Sequence, residues 1–239
     1  MEISILTQNN HLLINKSVLD LVTTLHHFGL RVTVFRTSAT AKGKSTGKFK
    51  SAVDLYKNFG PVFLLQSLGL YFKSYFSRPD NKLKKICRIV DIADDVKLDS
   101  AVFKAHCTEF NALLILSGTR IIKKDVLDLW THGVINVHSS ILPYARGLMP
   151  ALWTYLDGKG MGVTLFKLDE GIDTGEIIYQ APLAIRTNTY LEHLVRTKDI
   201  GTNLLVCWVL QHLVRIDKKN PIEDTYNKYP AAGIRIRTL

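Results

Sequence analysis

Short apolar runs alternate with longer stretches in which apolar residues recur every three or four positions, and polar loops separate them along the whole chain. Ile3 to Leu6 is the first run and predicts a strand. After the polar loop TQNNHLLINKS, Ser17 is placed to cap a helix to about His27, with Val18, Leu21, Val22 and Leu25 on one face. Gly29 ends that helix, and Leu30 to Phe35 alternates as a second strand. Such a strand–helix–strand opening crosses over with a right-handed turn. Residues 59 to 76 are the most hydrophobic segment. Gln66, Ser67 and Lys73 interrupt it too often for a membrane span, which predicts a buried or partner-facing helix, with a helix lying on a membrane surface as the alternative. The basic run from Lys82 to Arg88 leads into a strand at Ile89 to Ile92, and Asp99 is placed to cap a helix across Ala101 to Cys107. Ala112 to Leu116 reads as a central strand and Lys124 to Trp130 as a short helix. Val134 and Ile135 open the next strand. Met149 to Leu156 reads as a helix closed by Asp157-Gly158. Gly162 to Leu168 and Glu176 to Leu183 alternate like an antiparallel pair, and Thr189 to Val214 is a long apolar helix.

This order predicts an α/β fold: a doubly wound, mostly parallel, Rossmann-like sheet of about seven strands, followed by a C-terminal helix and tail. Residues 1–185 are expected to form the catalytic domain. Residues 186–239 form the helix and tail, a candidate dimerisation segment. The last helix is apolar on more than one face, and a tail carrying Lys218, Lys219, Lys228, Arg235 and Arg237 is a poor apolar cover. A homodimer with Leu205 or Trp208 near a two-fold axis is therefore expected, with residues 59 to 76 competing for that role.

Composition changes the picture in two places. Hydrophobic residues make up 46% and charged residues 22%, as in ordinary globular domains, but the formal net charge is +10. That excess favours anionic partners or is a solvated basic surface. Cys87, Cys107 and Cys207 are too few and too scattered for a disulfide framework or a metal cluster, so free thiols in a reducing cytoplasm are expected. The opening lacks G-x-G-x-x-G. Gly43-Lys44-Ser45 is half of a phosphate-binding loop, without its first glycine; the basic side chains Lys42, Lys44 and Lys48 can instead meet substrate phosphates.

The candidate chemistry lies between Gly133 and Ile178. Asn136 and His138 are two apart on a strand and so share a face, at the carboxyl end where open α/β sheets hold their sites. Asp173 sits in the glycine-bracketed turn DEGIDTG. An amide donor, an imidazole and a carboxylate can hold an oxyanion and move a proton. The residues alone leave a second reading open: a loop cap, a core histidine and a turn aspartate.

The stretch resembles the signature of the folate-dependent formyltransferases. Asn136-Val137-His138, Ser140-Ile141-Leu142-Pro143, Arg146-Gly147, Gly162-Val163-Thr164 and Asp169-Glu170-Gly171-Ile172-Asp173-Thr174-Gly175 follow in the family's order. The clear match spans about residues 112 to 184, and Ile141 replaces the usual Leu. The resemblance implies N10-formyltetrahydrofolate as co-substrate, no metal, and Asn136, His138 and Asp173 as the catalytic set, with His138 protonated. It further implies that Thr119, Arg120, Ile121 and Ile122, with Asp169, Glu170 and Gly171, touch the folate. Ser139, Arg146, Met149, Pro150 and Trp153 are expected on the amine side.

For the amine, TQNNHLLINKS lacks the glycine-rich phosphate loop of the glycinamide ribotide enzymes. Only about fifty residues follow the signature region, few for the tRNA-gripping domain of the methionyl-tRNA enzymes. The segment SGTRIIKKDVLD resembles the branch that formylates amino sugars carried on nucleotide diphosphates. The expected partner is a nucleotide-diphosphate amino sugar, a dTDP-4-amino-4,6-dideoxyhexose, for O-antigen or other surface polysaccharide synthesis, in the cytoplasm and without nucleic acid or a membrane span. Formylation of another amine, and a non-catalytic folate or nucleotide-sugar binding module, are the alternatives.

Overall fold

The computed structural model describes residues 1–8, 14–37, 48–93, 95–117, 121–183 and 187–214. The half phosphate loop at Gly43-Lys44-Ser45, Lys42, Thr119, Arg120 and the basic tail lie outside the described residues.

Seven strands form one sheet: β1 Glu2–Gln8, β2 Arg31–Thr37, β3 Arg88–Ile92, β4 Ala112–Ile115, β5 Val134–His138, β6 Gly162–Lys167 and β7 Ile177–Pro182, in the order β3-β2-β1-β4-β5-β6-β7. The first five strands run parallel, while β6 and β7 are antiparallel additions at one edge. The chain winds outward through β2 and β3, then returns to place β4 on the other side of β1. That reversal opens a crevice at the carboxyl ends of β1 and β4, where such sheets bind ligands. The sheet count and the edge pair match the sequence expectation.

Each strand is short and alternates, so its two faces feed two cores. On one face Ile3, Ile5, Leu114, Ile135 and Val137 meet helix α1 (Ile14–His27) through Val18, Leu21, Val22 and Leu25. On the other, Leu6, Phe35, Leu113, Ile115 and Val134 meet Phe103 of α4 (Ser100–Lys104) and Val126 of α5 (Lys124–Leu127). Asp99 caps α4 by accepting from the Ala101 amide at 3.1 Å.

The C-terminal helix corrects the sequence reading. After α2 (Lys48–Ser77), α3 (Pro79–Ile86) and α6 (Pro150–Asp157), α7 (Tyr190–His212) lies across the first face of the sheet. Leu205, Trp208, Val209 and Leu213 are buried in the core with Ile135 and Val137. The helix is apolar on several faces because the sheet and α1 both cover it, so Leu205 and Trp208 are not available at a two-fold axis.

Arg36 ties three elements together. Its guanidinium, buried at the end of β2, donates to both oxygens of Asp91 at 2.7 and 2.9 Å and to Asp80 at 3.1 Å. Hydrogen bonding to Arg36 holds the Asp91 carboxyl below its usual range. A carboxylate shifted downward in the folded state contributes stability above its unfolded pKa, and that stability is lost as pH falls through the folded value. Arg36→Leu is therefore expected to lower the melting temperature at pH 7 and to lessen its further fall between pH 5 and pH 3, read by thermal melts across that range.

Candidate active site

Asn136 and His138 project from the same face of β5, which Asn136 and His138 share with Val134. The strand is anchored on one side to β4, where Asn136 is opposite Ile115, and on the other to β6, where His138 is opposite Thr164. Asn136 is half-buried and His138 buried. The chain then turns sharply. Ser139 and Ser140 are buried, the Ser140 hydroxyl donates to the Tyr144 carbonyl at 2.5 Å, and Thr164 Oγ1 bridges the Ser140 carbonyl at 2.7 Å and the Leu142 amide at 2.9 Å. These bonds fix the turn that carries Ala145 and Gly147 over the end of the strand.

The imidazole lies between two acceptors. Its Nε2 is 2.9 Å from the Ala145 carbonyl, and its Nδ1 is 3.5 Å from Asp173 Oδ2. A carbonyl can only accept, so Nε2 carries the proton of the neutral ring and Nδ1 the lone pair, an assignment made from the partners. Burial pushes the His138 pKa below its usual value. Asp173 and the Ala145 carbonyl oppose that shift, and the cation of Lys198 adds to it. Burial therefore favours the neutral ring at rest, and the carboxylate favours the imidazolium expected from the sequence. Asp173 is itself held by the Gly147 amide, which donates to Oδ2 at 2.7 Å, and its backbone sits in the left-handed region at φ 51°. The neighbouring Asp169 braces the turn, accepting from the Gly171 amide at 3.0 Å and the Thr174 hydroxyl at 2.8 Å.

A cleft of about 600 Å3 opens at the amino end of β5, lined by Trp130, Gly133, Val134, Lys167, Leu168 and Asp169, and none of Asn136, His138 and Asp173 lines it. Glu170 lies on its rim with Lys124. Ile122 is buried behind it, packed in one apolar cluster with Val126, Trp130 and Val134, whereas Ile121 is 80% exposed. The indole N–H of Trp130 is buried without a hydrogen-bond partner among the described residues. Asp169, Glu170 and Gly171 line the cleft, whereas Ile122 belongs to the apolar cluster beneath it and does not line it.

In the turn after β5 and at the start of α6, Arg146 and Met149 are exposed, Pro150 is half-buried, and Trp153 is 52% exposed. Trp153 is therefore not an interior aromatic.

Lys198 was not anticipated. It stands in the middle of α7, and its ammonium donates to the Leu116 carbonyl at 3.1 Å, at the carboxyl end of β4. Burial lowers its pKa to about 8. The signal in the sequence was the Lys198-Asp199 pair interrupting an otherwise apolar helix. Without the topology, nothing tied it to the crevice.

A family model described as formyl transferase matches residues 85–209, just over half of the 239-residue chain. The methionyl-tRNA formyltransferase of Anaeromyxobacter sp. (strain K) is 42% identical over 98 residues, 40% of this chain and 31% of that protein. The matched part spans about a third of the length of such relatives. Among solved structures, the phosphoribosylglycinamide formyltransferase of Anaplasma phagocytophilum superposes with a TM-score of 0.60 at 16% identity, over 92% of this chain and 91% of that one. A sugar N-formyltransferase from a Shewanella species superposes with a TM-score of 0.55 at 19% identity, over 100% of this chain and 84% of that one. At these identities the structural likeness establishes the fold. The chain belongs to the formyl transferase family.

Proposed function

We propose that this formyl transferase family member transfers the formyl group of N10-formyltetrahydrofolate to the amine of a nucleotide-linked amino sugar, a dTDP-4-amino-4,6-dideoxyhexose, for surface polysaccharide synthesis. The observation that carries formyl transfer is the pairing of the His138 imidazole with Asp173 at 3.5 Å, on the strand face that also presents Asn136. Formyl-folate, held against the turn that carries Asp169, Glu170, Gly171 and Asp173, supplies the formyl carbon. The amine attacks in its neutral form. A carbon–nitrogen bond forms to the amine, the bond to N10 breaks, and one proton passes from the amine to N10. Negative charge grows on the formyl oxygen in between, and the Asn136 amide is the donor aimed at it, an interaction typically worth ~3 kcal/mol. The proton leaving the amine passes to the Asp173–His138 pair. Nδ1 has the free lone pair, and the carboxylate beside it stabilises the imidazolium that results.

The amino-sugar reading rests on the resemblance of SGTRIIKKDVLD to that branch and on the absence of glycine from TQNNHLLINKS. Arg146 is an exposed cation suited to a pyrophosphate. A second reading is favoured by one finding: methionyl-tRNA formyltransferases are among the relatives the chain is similar to, at 42% identity over 98 residues. The test offers formyl-folate with dTDP- and UDP-linked amino sugars, glycinamide ribotide and methionyl-tRNA, and follows the mass of each amine. Addition of one formyl group to a nucleotide sugar alone is expected. Formylation of methionyl-tRNA alone replaces the sugar reading, and no transfer to any amine refutes the enzyme. In the same assay, Trp153→Ala is expected to raise the KM for the sugar about tenfold through loss of ring stacking while leaving that for folate unchanged. Equal rises in both assign Trp153 to stability instead.

A further inference from the structure

The second half of α2, from Pro61 to Ser77, presents an apolar stripe to solvent. Gly60, at φ 80° and ψ 177°, breaks the helix just before it. Phe59 and Phe63 stack on Tyr190 of α7, with ring centroids 5.8 and 5.7 Å away, and Ser67 is buried beneath. This fixes which side faces inward. Val62, Leu65, Phe72 and Phe76 recur at spacings of three, seven and four, so they share the outward side. They are 60%, 68%, 55% and 77% exposed. Leu68 and Tyr75, also exposed, widen the stripe, which runs about 21 Å along the helix.

Large exposed apolar faces mark interaction sites, and the surrounding charge says which kind. No acidic residue occurs between Asp54 and Asp80. Asp80 itself is engaged by Arg36 at 3.1 Å. Lys57, Lys73, Arg78, Lys82, Lys84 and Lys85 are all exposed within or just beyond the same stretch. Aromatic and aliphatic side chains on one face, with only cations around them, are the pattern of a helix that lies in a lipid interface. No helix among the described residues is long and apolar enough to cross a membrane, so the helix lies on the bilayer rather than through it. A second copy of the chain would satisfy the apolar stripe but would set these cations against the same cations. An anionic lipid surface accommodates both.

We propose that α2 docks this protein on anionic membrane surfaces, with Phe72, Tyr75 and Phe76 entering the headgroup region and the flanking lysines and Arg78 meeting lipid phosphates. The inference stands apart from the identity of the amine.

The test is flotation of the full chain with vesicles of phosphatidylcholine alone and of phosphatidylcholine mixed with phosphatidylglycerol. Binding to the mixed vesicles only is expected, weakening as salt is raised. The Phe72→Glu, Phe76→Glu double variant is expected to lose at least about tenfold in partitioning. Its circular dichroism and tetrahydrofolate binding, neither of which uses this face, should be unchanged. Sedimentation is run in parallel without lipid. No binding to either vesicle, or equal binding to both, overturns the proposal. A concentration-dependent dimer that disappears in the double variant, with no vesicle binding, assigns the stripe to a second copy. A monomer that ignores vesicles shows that the chain's own remaining residues cover it.

Discussion

His138→Ala, Asn136→Ala and Asp173→Ala each lower the rate of formyl transfer by roughly a hundredfold to ten-thousandfold, with the fold intact. Each removes a different part of one event. Without Asn136 the charge growing on the formyl oxygen loses its amide donor. Without His138 the amine's proton has no acceptor held at the end of β5. Without Asp173 the imidazolium is uncompensated, and the turn also loses the Gly147 amide's partner at 2.7 Å. Because all three act on one transition state, the triple variant should be hardly slower than the worst single one. Near-additive losses would mean that the residues do not act together. The pH profile adds a sign. With His138 neutral at rest, activity falls as pH drops through its depressed pKa. Asp173 opposes that depression. In Asp173→Asn the residual activity should therefore have its acid limb at still lower pH. An acid limb that moves upward would show that Asp173 does not stabilise the charged ring. His138→Ala turning over within a few fold of the wild type would remove the mechanism altogether.

The strand face of Asn136 and His138 was legible because a period of two is enforced by the backbone itself, and the antiparallel pair after it showed the same alternation. The cap at Asp99 was legible for a similar reason, since its side chain binds an amide two residues along, whereas Ser17, read as a cap, lies inside α1. What the sequence did not show depends on elements far apart in the chain. The cleft beside Val134 needs α5 and the 169–171 turn to meet, and its orphaned Trp130 N–H is visible only once they do. The burial of α7 was misjudged because counting apolar faces says that cover is required, not what provides it. The sheet and α1 provide it, and the exposed apolar surface lies instead on α2, whose inward side is chosen by Tyr190. Lys198 was hidden in the same way: a charge in an apolar helix reads as an interruption until the helix is laid under the carboxyl end of β4.

That placement of α7 depends on one residue. Gly201 lies against Val137, the residue between Asn136 and His138, and a Cβ added to it would fall well inside contact distance of Val137 Cγ1. Val137 is β-branched and buried, so it has little rotamer freedom with which to yield. Replacing a helical glycine by alanine ordinarily stabilises by about 1 kcal/mol. Here the overlap should outweigh that gain, because forcing a methyl into a close-packed core costs about 1–3 kcal/mol. Gly201→Ala is expected to be destabilised by about 1 kcal/mol net, and Gly201→Val by about 3 kcal/mol or more, since its second and third methyl-sized carbons have nowhere to go. Chemical denaturation measures both. Val137→Ala should be destabilising alone yet restore much of the loss when combined with Gly201→Ala, giving a favourable coupling in the double-mutant cycle. The same overlap pushes β5 from beneath, so Gly201→Ala should also slow formyl transfer in molecules that remain folded, and Val137→Ala should recover that as well. Gly201→Ala as stable as the wild type would show that α7 can ride away from the strand, and that the catalytic pair does not depend on this contact for its position.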